Sequence, residues 1–227
     1  MSSKLRRSAD EWIAMIATAS FAYFVVAVLV LQVLRTDYDP LAVAISSYAV
    51  GPFGAVMTSA FIALSTGSLA LFVGFVGLGP KTVFFRASLI LLAIFVPGIF
   101  VAALFPTDLP NAPVTTHGLI HNYDAAINFI SIIVAIVLFS MGFGSDSRWR
   151  SFRRRALTMA AAVVSSFVIM ILTFNSHYAA RFAGLANKAF TATILAWLLA
   201  ASLKLKSVAQ SAAGGDKSKA NFVATAE

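Results

Sequence analysis

The sequence predicts an all-α membrane protein: a bundle of six transmembrane helices with its N and C termini cytoplasmic. Three observations carry this expectation. Of the 227 residues, 59% are hydrophobic and only 11% charged, and mean hydropathy is +0.87, whereas a soluble domain has about a quarter of its residues charged. Six windows stay apolar over roughly 20 residues, the length an α-helix needs to cross about 30 Å of hydrocarbon. Lysine and arginine gather before the first segment and in alternate connections. By the positive-inside rule, those connections and both termini are cytoplasmic.

The first segment, 12–34, follows Lys4, Arg6 and Arg7. Its apolar run is longer than that of a signal peptide, so it reads as an anchor that stays. Segment two, 51–79, holds Gly54, Gly67, Gly74 and Gly77 with Thr58, Ser59, Ser65 and Ser68; small residues let helices approach closely in lipid, which predicts a central place in packing. Segment three, 84–105, contains Pro97-Gly98, where the missing backbone donor predicts a kink. Segments four, five and six are expected at 118–143, 156–176 and 183–203.

The chain therefore divides into a cytoplasmic N-terminus, 1–11, a transmembrane domain, 12–204, and a cytoplasmic tail, 205–227, whose small and polar composition predicts disorder. Trp12, Trp149 and Trp197 lie near span ends and read as interfacial anchors. The run "RWRSFRRR" reads as a solvated turn against anionic headgroups. "GLGPKTVFFRASL" and "GFGSDSRWRSFRRRAL" both pass from Gly-x-Gly through basic residues into the next span, suggesting that hairpins two-three and four-five are parallel repeats. A multi-pass protein of the cell inner membrane is implied, with membrane lipids as its surroundings. Nucleic acid is excluded as a partner, because the basic residues flank spans and form no separate domain. There is no cysteine, so no disulfide supports the loops.

The opening of segment four, "TTHGLIHNYDAAINFIS", is the informative stretch. At 100° per residue, His117, His121, Asp124, Asn128 and Ser131 fall within about 80° of one another, on one helix face. Exposing these groups to lipid would be costly, so the stripe is expected to face the bundle interior. Asp124 sits about two turns into the span, where an ionisable group is by default a functional-site hypothesis. The same side of the membrane receives His177, Asp108, Ser46, Arg35, Arg181 and Lys188.

Four stretches, "ISSYAVGPFG" before segment two, "LFPTD" after segment three, "THGLIH" opening segment four and "AGLANKAF...AW" in segment six, resemble the domain of unknown function 998 family of bacterial and archaeal membrane proteins. The resemblance covers nearly the whole chain and implies a six-helix membrane fold, without an activity. The chain departs from the family pattern at Asn187-Lys188, where Gln or Glu followed by Arg is expected, so no role is carried over to that pair.

Several functions remain open on these residues. His117 and His121, spaced i, i+4, could share a zinc ion with His177 as third ligand and water as fourth. Asp124 or Asp108 would then act as base or orient a histidine in hydrolysis of a lipid-like substrate; membrane hydrolases of the alkaline ceramidase and adiponectin-receptor type use a comparable inventory. No Glu separates the two histidines, so the zincin signature is missing. A haem held by two of the histidines is a further possibility. A binding or transport site would place a small polar molecule or lipid headgroup among Ser46, Asn128 and Arg181, with Arg35 and Lys188 adding positive charge. The remaining reading is structural: the polar groups tie loops to helix ends, with Thr115 or Thr116 capping segment four. Oligomeric state is not legible.

Overall fold

The computed structural model describes residues 3–109 and 112–224. Six helices account for most of them: α1 (Ser3–Leu34), α2 (Gly54–Leu78), α3 (Val83–Leu104), α4 (Thr116–Gly142), α5 (Ser147–Phe174) and α6 (Ala183–Ala224). All six are long and apolar enough to cross a membrane. Each packs against its neighbours in sequence and α6 closes onto α1, so the bundle is a ring. Helices also meet across the ring, α4 with α6 through side chains and α2 with α6 by close backbone approach. The small residues of α2 make it possible: side chains added at Gly67 and Gly74 would run into Phe21 of α1 and Leu205 of α6. This fits the central packing expected of α2.

The ring alternates up and down, so its two ends differ. One collects the α2–α3 and α4–α5 turns with their arginines and lysines; the other collects the α1–α2, α3–α4 and α5–α6 connections and the histidines. Both turns at the basic end cap the helix that follows. Thr82 Oγ1 accepts from the Phe85 N–H at 3.2 Å, and Asp146 Oδ1 accepts from the Arg148 N–H at 2.9 Å. A side-chain acceptor at this position satisfies a backbone donor left over at a helix start.

Three sequence expectations change here. The arginine run is no turn but the first turns of α5, which starts at Ser147 and not at 156. Its apolar residues keep helical spacing inside the basic stretch: Trp149, Phe152 and Ala156 are buried while Arg150, Arg153, Arg154 and Arg155 are exposed. Trp149 and Trp197 are accordingly core residues; among the three tryptophans only Trp12 is exposed. At the other extreme, α6 does not stop at the end of apolar segment six. Leu205, Val208 and Ala209 are buried, continuing the face of Ala201 at i+4, i+7 and i+8, so the helix carries the core into the stretch assigned to a disordered tail. Residues 225–227 of that tail lie outside the described residues.

Near the basic end the interior is filled with aromatic rings. Phe75, Phe85, Phe139, Phe143, Trp149 and Trp197 come from α2, α3, α4, α5, α6 and the α4–α5 turn, with Phe143 stacked on Trp149 at 4.9 Å and Phe139 meeting Phe85 at 4.7 Å. Their polar edges are satisfied: Trp149 Nε1–H donates to Leu78 O at 2.9 Å, and Trp197 Nε1–H to Ser140 Oγ at 3.0 Å. Truncating Phe143 to Ala should cost about 3–5 kcal/mol, the range for emptying an aromatic core site. Trp149→Phe, which keeps most of the ring but loses its hydrogen bond, should cost about 1 kcal/mol. Unfolding of the purified variants in graded denaturing detergent measures both, and equal losses would show that the hydrogen bond matters as much as the packing.

Candidate functional site

At the histidine end a folded-in loop covers the ring. The chain from Arg35 to Phe53 bends over the bundle through a short 3₁₀ turn, Ile45–Ala49. Arg35, 2% exposed, holds its base. Its Nε–H and Nη2–H donate to Asp37 at 2.8 Å each, its Nη1–H donates to the carbonyls of Val50 and Pro52 at 2.7 and 3.0 Å, and the guanidinium lies 3.9 Å from the Tyr38 ring centre. The pairing holds the Asp37 carboxyl below its ordinary range, while burial pushes the Tyr48 hydroxyl up.

The far side of the loop is fastened to the start of α6. Lys188 Nζ donates to the carbonyls of Pro40 and Val43, both at 2.7 Å. Asn187 Oδ1 accepts from the Ile45 N–H at 3.0 Å, and the Leu185 N–H donates to Leu41 O at 2.9 Å. The loop is therefore a lid, stitched by side chains whose partners are backbone groups.

Beneath the lid lies a cavity of about 370 Å³. All six helices contribute to its wall, including Phe24, Phe61, Phe95, Phe129 and Phe174, and the lid adds Ala42, Ala44, Ile45, Ser46 and Ser47. Most of the wall is apolar. α4 gives the largest share of the polar exceptions, His121, Asn122, Asp124 and Asn128; the others are Ser46, Ser47, Thr107, Asp108, Asn187 and Thr191.

The interior placing expected for the α4 stripe holds in large part. His121, Asn128 and Ser131 are buried and Asp124 is half-buried, while Leu119, Ala126 and Ile130 on the opposite face are exposed. Ile133, also on that side, is buried. His121 Nδ1–H donates to Phe105 O at 2.8 Å, satisfying a carbonyl left over where α3 ends. In the neutral ring this leaves Nε2 as an acceptor. Asn128 is 2% exposed and lies against Gly98, where any side chain would collide with it. The Pro97-Gly98 step thus makes room for a carboxamide. Neither polar atom of Asn128 nor Asp124 Oδ2 has a hydrogen-bond partner among the described residues.

The other expected site residues fall elsewhere. His117, at the exposed first turn of α4, packs its ring 5.3 Å from Phe105. His177 and Arg181 are exposed in the α5–α6 connection, with the Arg181 guanidinium over Phe182. None of the three lines the cavity. No group of three or more His, Asp or Glu side chains is placed to hold a metal among the described residues, so the proposed zinc set of His117, His121 and His177 is not assembled. Helical spacing brings the first two onto one face, but only His121 reaches the interior, and the α5–α6 connection carries His177 out to the surface. With His117 and His177 both exposed, the donor set does not fit a buried haem either.

Asp108 lies at the cavity margin, with both oxygens occupied: Thr115 N–H donates to Oδ2 at 2.9 Å and Thr115 Oγ1–H to Oδ1 at 2.7 Å. Thr115 Oγ1 in turn accepts from the Gly118 N–H at 3.1 Å and caps α4. Arg35 and Lys188, expected to offer charge to a ligand, are committed to the lid. Asn187, to which no role was carried over, lines the cavity and anchors the lid. Its spacing of four from Thr191, another lining residue, was the available signal.

The fold defines the chain as a multi-pass membrane protein with six apolar helices. It belongs to the family described as protein of unknown function (DUF998), whose family model matches residues 17–204, a span that contains every residue lining the cavity. No curated protein and no solved structure matches the chain.

Two outcomes follow from this geometry. The Thr115 donors hold the Asp108 carboxyl below its ordinary range, with His117 helping. A lowered folded-state value contributes stability above about pH 4 that is lost as pH falls through that value. Thermal unfolding should therefore show a smaller drop below about pH 4 in Asp108→Ala than in the parent protein; parallel curves would show that the cap carries no charge dependence. Lys188→Met should free the lid, raising hydrogen exchange at residues 39–47 at least about tenfold, as for loss of roughly 1.4 kcal/mol of local stability. Unchanged exchange there would mean that Asn187 and Leu185 suffice.

Proposed function

We propose that the protein is an integral-membrane binding protein that takes an amphipathic, lipid-like molecule into the cavity under the lid. The observation that carries this is the pairing of an apolar chamber with the unpartnered atoms of Asp124 and Asn128. Buried polar groups nearly always find partners, and inside a bundle in lipid the missing partner costs more than at a surface. Ligand pockets characteristically have about 300–1,000 Å³, mostly apolar walls and a few placed polar groups. The cavity matches on each count.

The basic end supports an orientation. Lys81, Arg86 and the arginines at the start of α5 all lie there, so the positive-inside rule puts that end in the cytoplasm, with both termini, and the lid outside. In a bacterial cell this is the inner membrane. The aromatic plug favours a one-sided receptacle over a through-going transport path.

Cavity-filling variants test the reading. A neutral alkyl photoprobe, equilibrated with the protein in lipid nanodiscs, should label residues 95–102 and 121–129, and Ala125→Phe or Ile99→Trp should remove that labelling while sparing the lipid-facing residues of α5. Labelling confined to lipid-facing positions in the parent protein would overturn the proposal.

A further inference from the structure

We propose that the molecule the cavity selects carries a protonated amine on an apolar body, with Asp124 as counter-charge and Asn128 as the adjoining hydrogen-bond partner. This rests on the binding reading above and narrows it to one ligand chemistry.

The argument is an inventory of charge. Three titratable side chains line the cavity: Asp108, His121 and Asp124. Asp108 already receives two hydrogen bonds from Thr115, and His121 has given its Nδ1–H to Phe105 O. Asp124 alone keeps an unpartnered buried oxygen. No lysine or arginine lines the space. The basic residues of the lid are engaged, Arg35 by Asp37, Val50 and Pro52, and Lys188 by Pro40 and Val43.

An anionic headgroup would therefore meet a carboxyl group with no cation to receive it, a like-charge encounter in a medium that screens poorly. An ammonium reverses the sign. It brings three donors and no acceptor, which suits Asp124 Oδ2 and Asn128 Oδ1, both lacking partners, while Asn128 Nδ2, a donor, is left to the Asp124 carboxyl one turn away. Asp124 and Asn128 are one turn apart on α4, so a single head can reach both. The rings of Phe61, Phe95 and Phe129 in the wall suit the apolar body, and an aromatic face also attracts a desolvated cation. A neutral alcohol could satisfy the same atoms but would leave the carboxylate without counter-charge, so charge is the property to isolate.

Three diazirine probes sharing one alkyl chain and ending in a primary amine, an alcohol or a carboxylate make the test, with the full chain in nanodiscs of zwitterionic lipid. The amine should label the α3 and α4 wall residues at about tenfold lower concentration than the carboxylate, a difference near 1.4 kcal/mol. In Asp124→Asn the amine should fall to the level of the alcohol while alcohol labelling persists; Asp124→Glu should retain the preference. A carboxylate that equals the amine in the parent protein overturns the inference without need of any variant, as does a preference that survives Asp124→Asn. If the alcohol labels the cavity and the amine gains nothing, the amine inference fails and the binding reading stands. If no probe labels it, both fail.

Discussion

Irregular backbone must still find partners for its N–H and C=O groups, and the histidine end of this bundle is organised around that constraint. The chain between α1 and α2 is mostly without regular structure, yet it lies over the helix ends, where its backbone groups would otherwise go unpaired. Arg35 and Lys188 supply the donors, four carbonyls between them, and Asn187 accepts the one amide at Ile45. Without those side chains the loop would have to lift toward water, and the cavity would lose its roof. Arg35 and Lys188 are thus structural cations. Such hydrogen bonds from charged donors are stronger than neutral ones, which suits them to holding irregular backbone in place.

The two ends of the ring solve one packing problem in opposite ways. Near the basic end α2 and α6 touch through Gly74 and Leu205, and aromatic rings fill what remains. Toward the histidine end the helices enclose open space under the lid. Because packed interiors are dense, a chamber of this size beside a filled plug is a local property of the chain's residues and not looseness of the whole fold. Small residues on the wall, Ala102 and Ala125 among them, leave volume where the other end places Phe and Trp.

How much of this was legible in the sequence depends on the range over which each feature is decided. Six spans are local facts of length and apolarity, and they stand. The start of α5 was missed because arginine marks a cytoplasmic flank and is also a good helix former; the alternation of Trp149, Phe152 and Ala156 within the run was the overlooked evidence. The extension of α6 was missed because its apolar face thins to Leu205, Val208 and Ala209 among small residues. At the site, the inward face of α4 was legible from helical period alone. That His177 stays at the surface, apart from His121, was not, since no local spacing says where a connection goes. Nor could sequence show that Lys188 would reach Pro40, 148 residues away.

The four stretches that carried the family resemblance meet at one end of the molecule. "ISSYAVGPFG" gives the lid's 3₁₀ turn, "LFPTD" the Asp108 cap, "THGLIH" the His121 tie to α3 and "AGLANKAF" the lid anchors. Three of their polar residues have structural partners that account for them: Asp108 holds Thr115, His121 holds Phe105 and Asn187 holds Ile45. Asp124 and Asn128 lie outside these stretches, deeper in α4, and among the described residues Asp124 Oδ2 and both polar atoms of Asn128 have no hydrogen-bond partner. A network built only to tie loops to helix ends would stop at the first turn or two of α4. Gly98 leaves on α3 the space that the Asn128 carboxamide fills. Buried polar atoms without a hydrogen-bond partner, set in a mostly apolar wall, are the observation on which the proposed binding chamber rests.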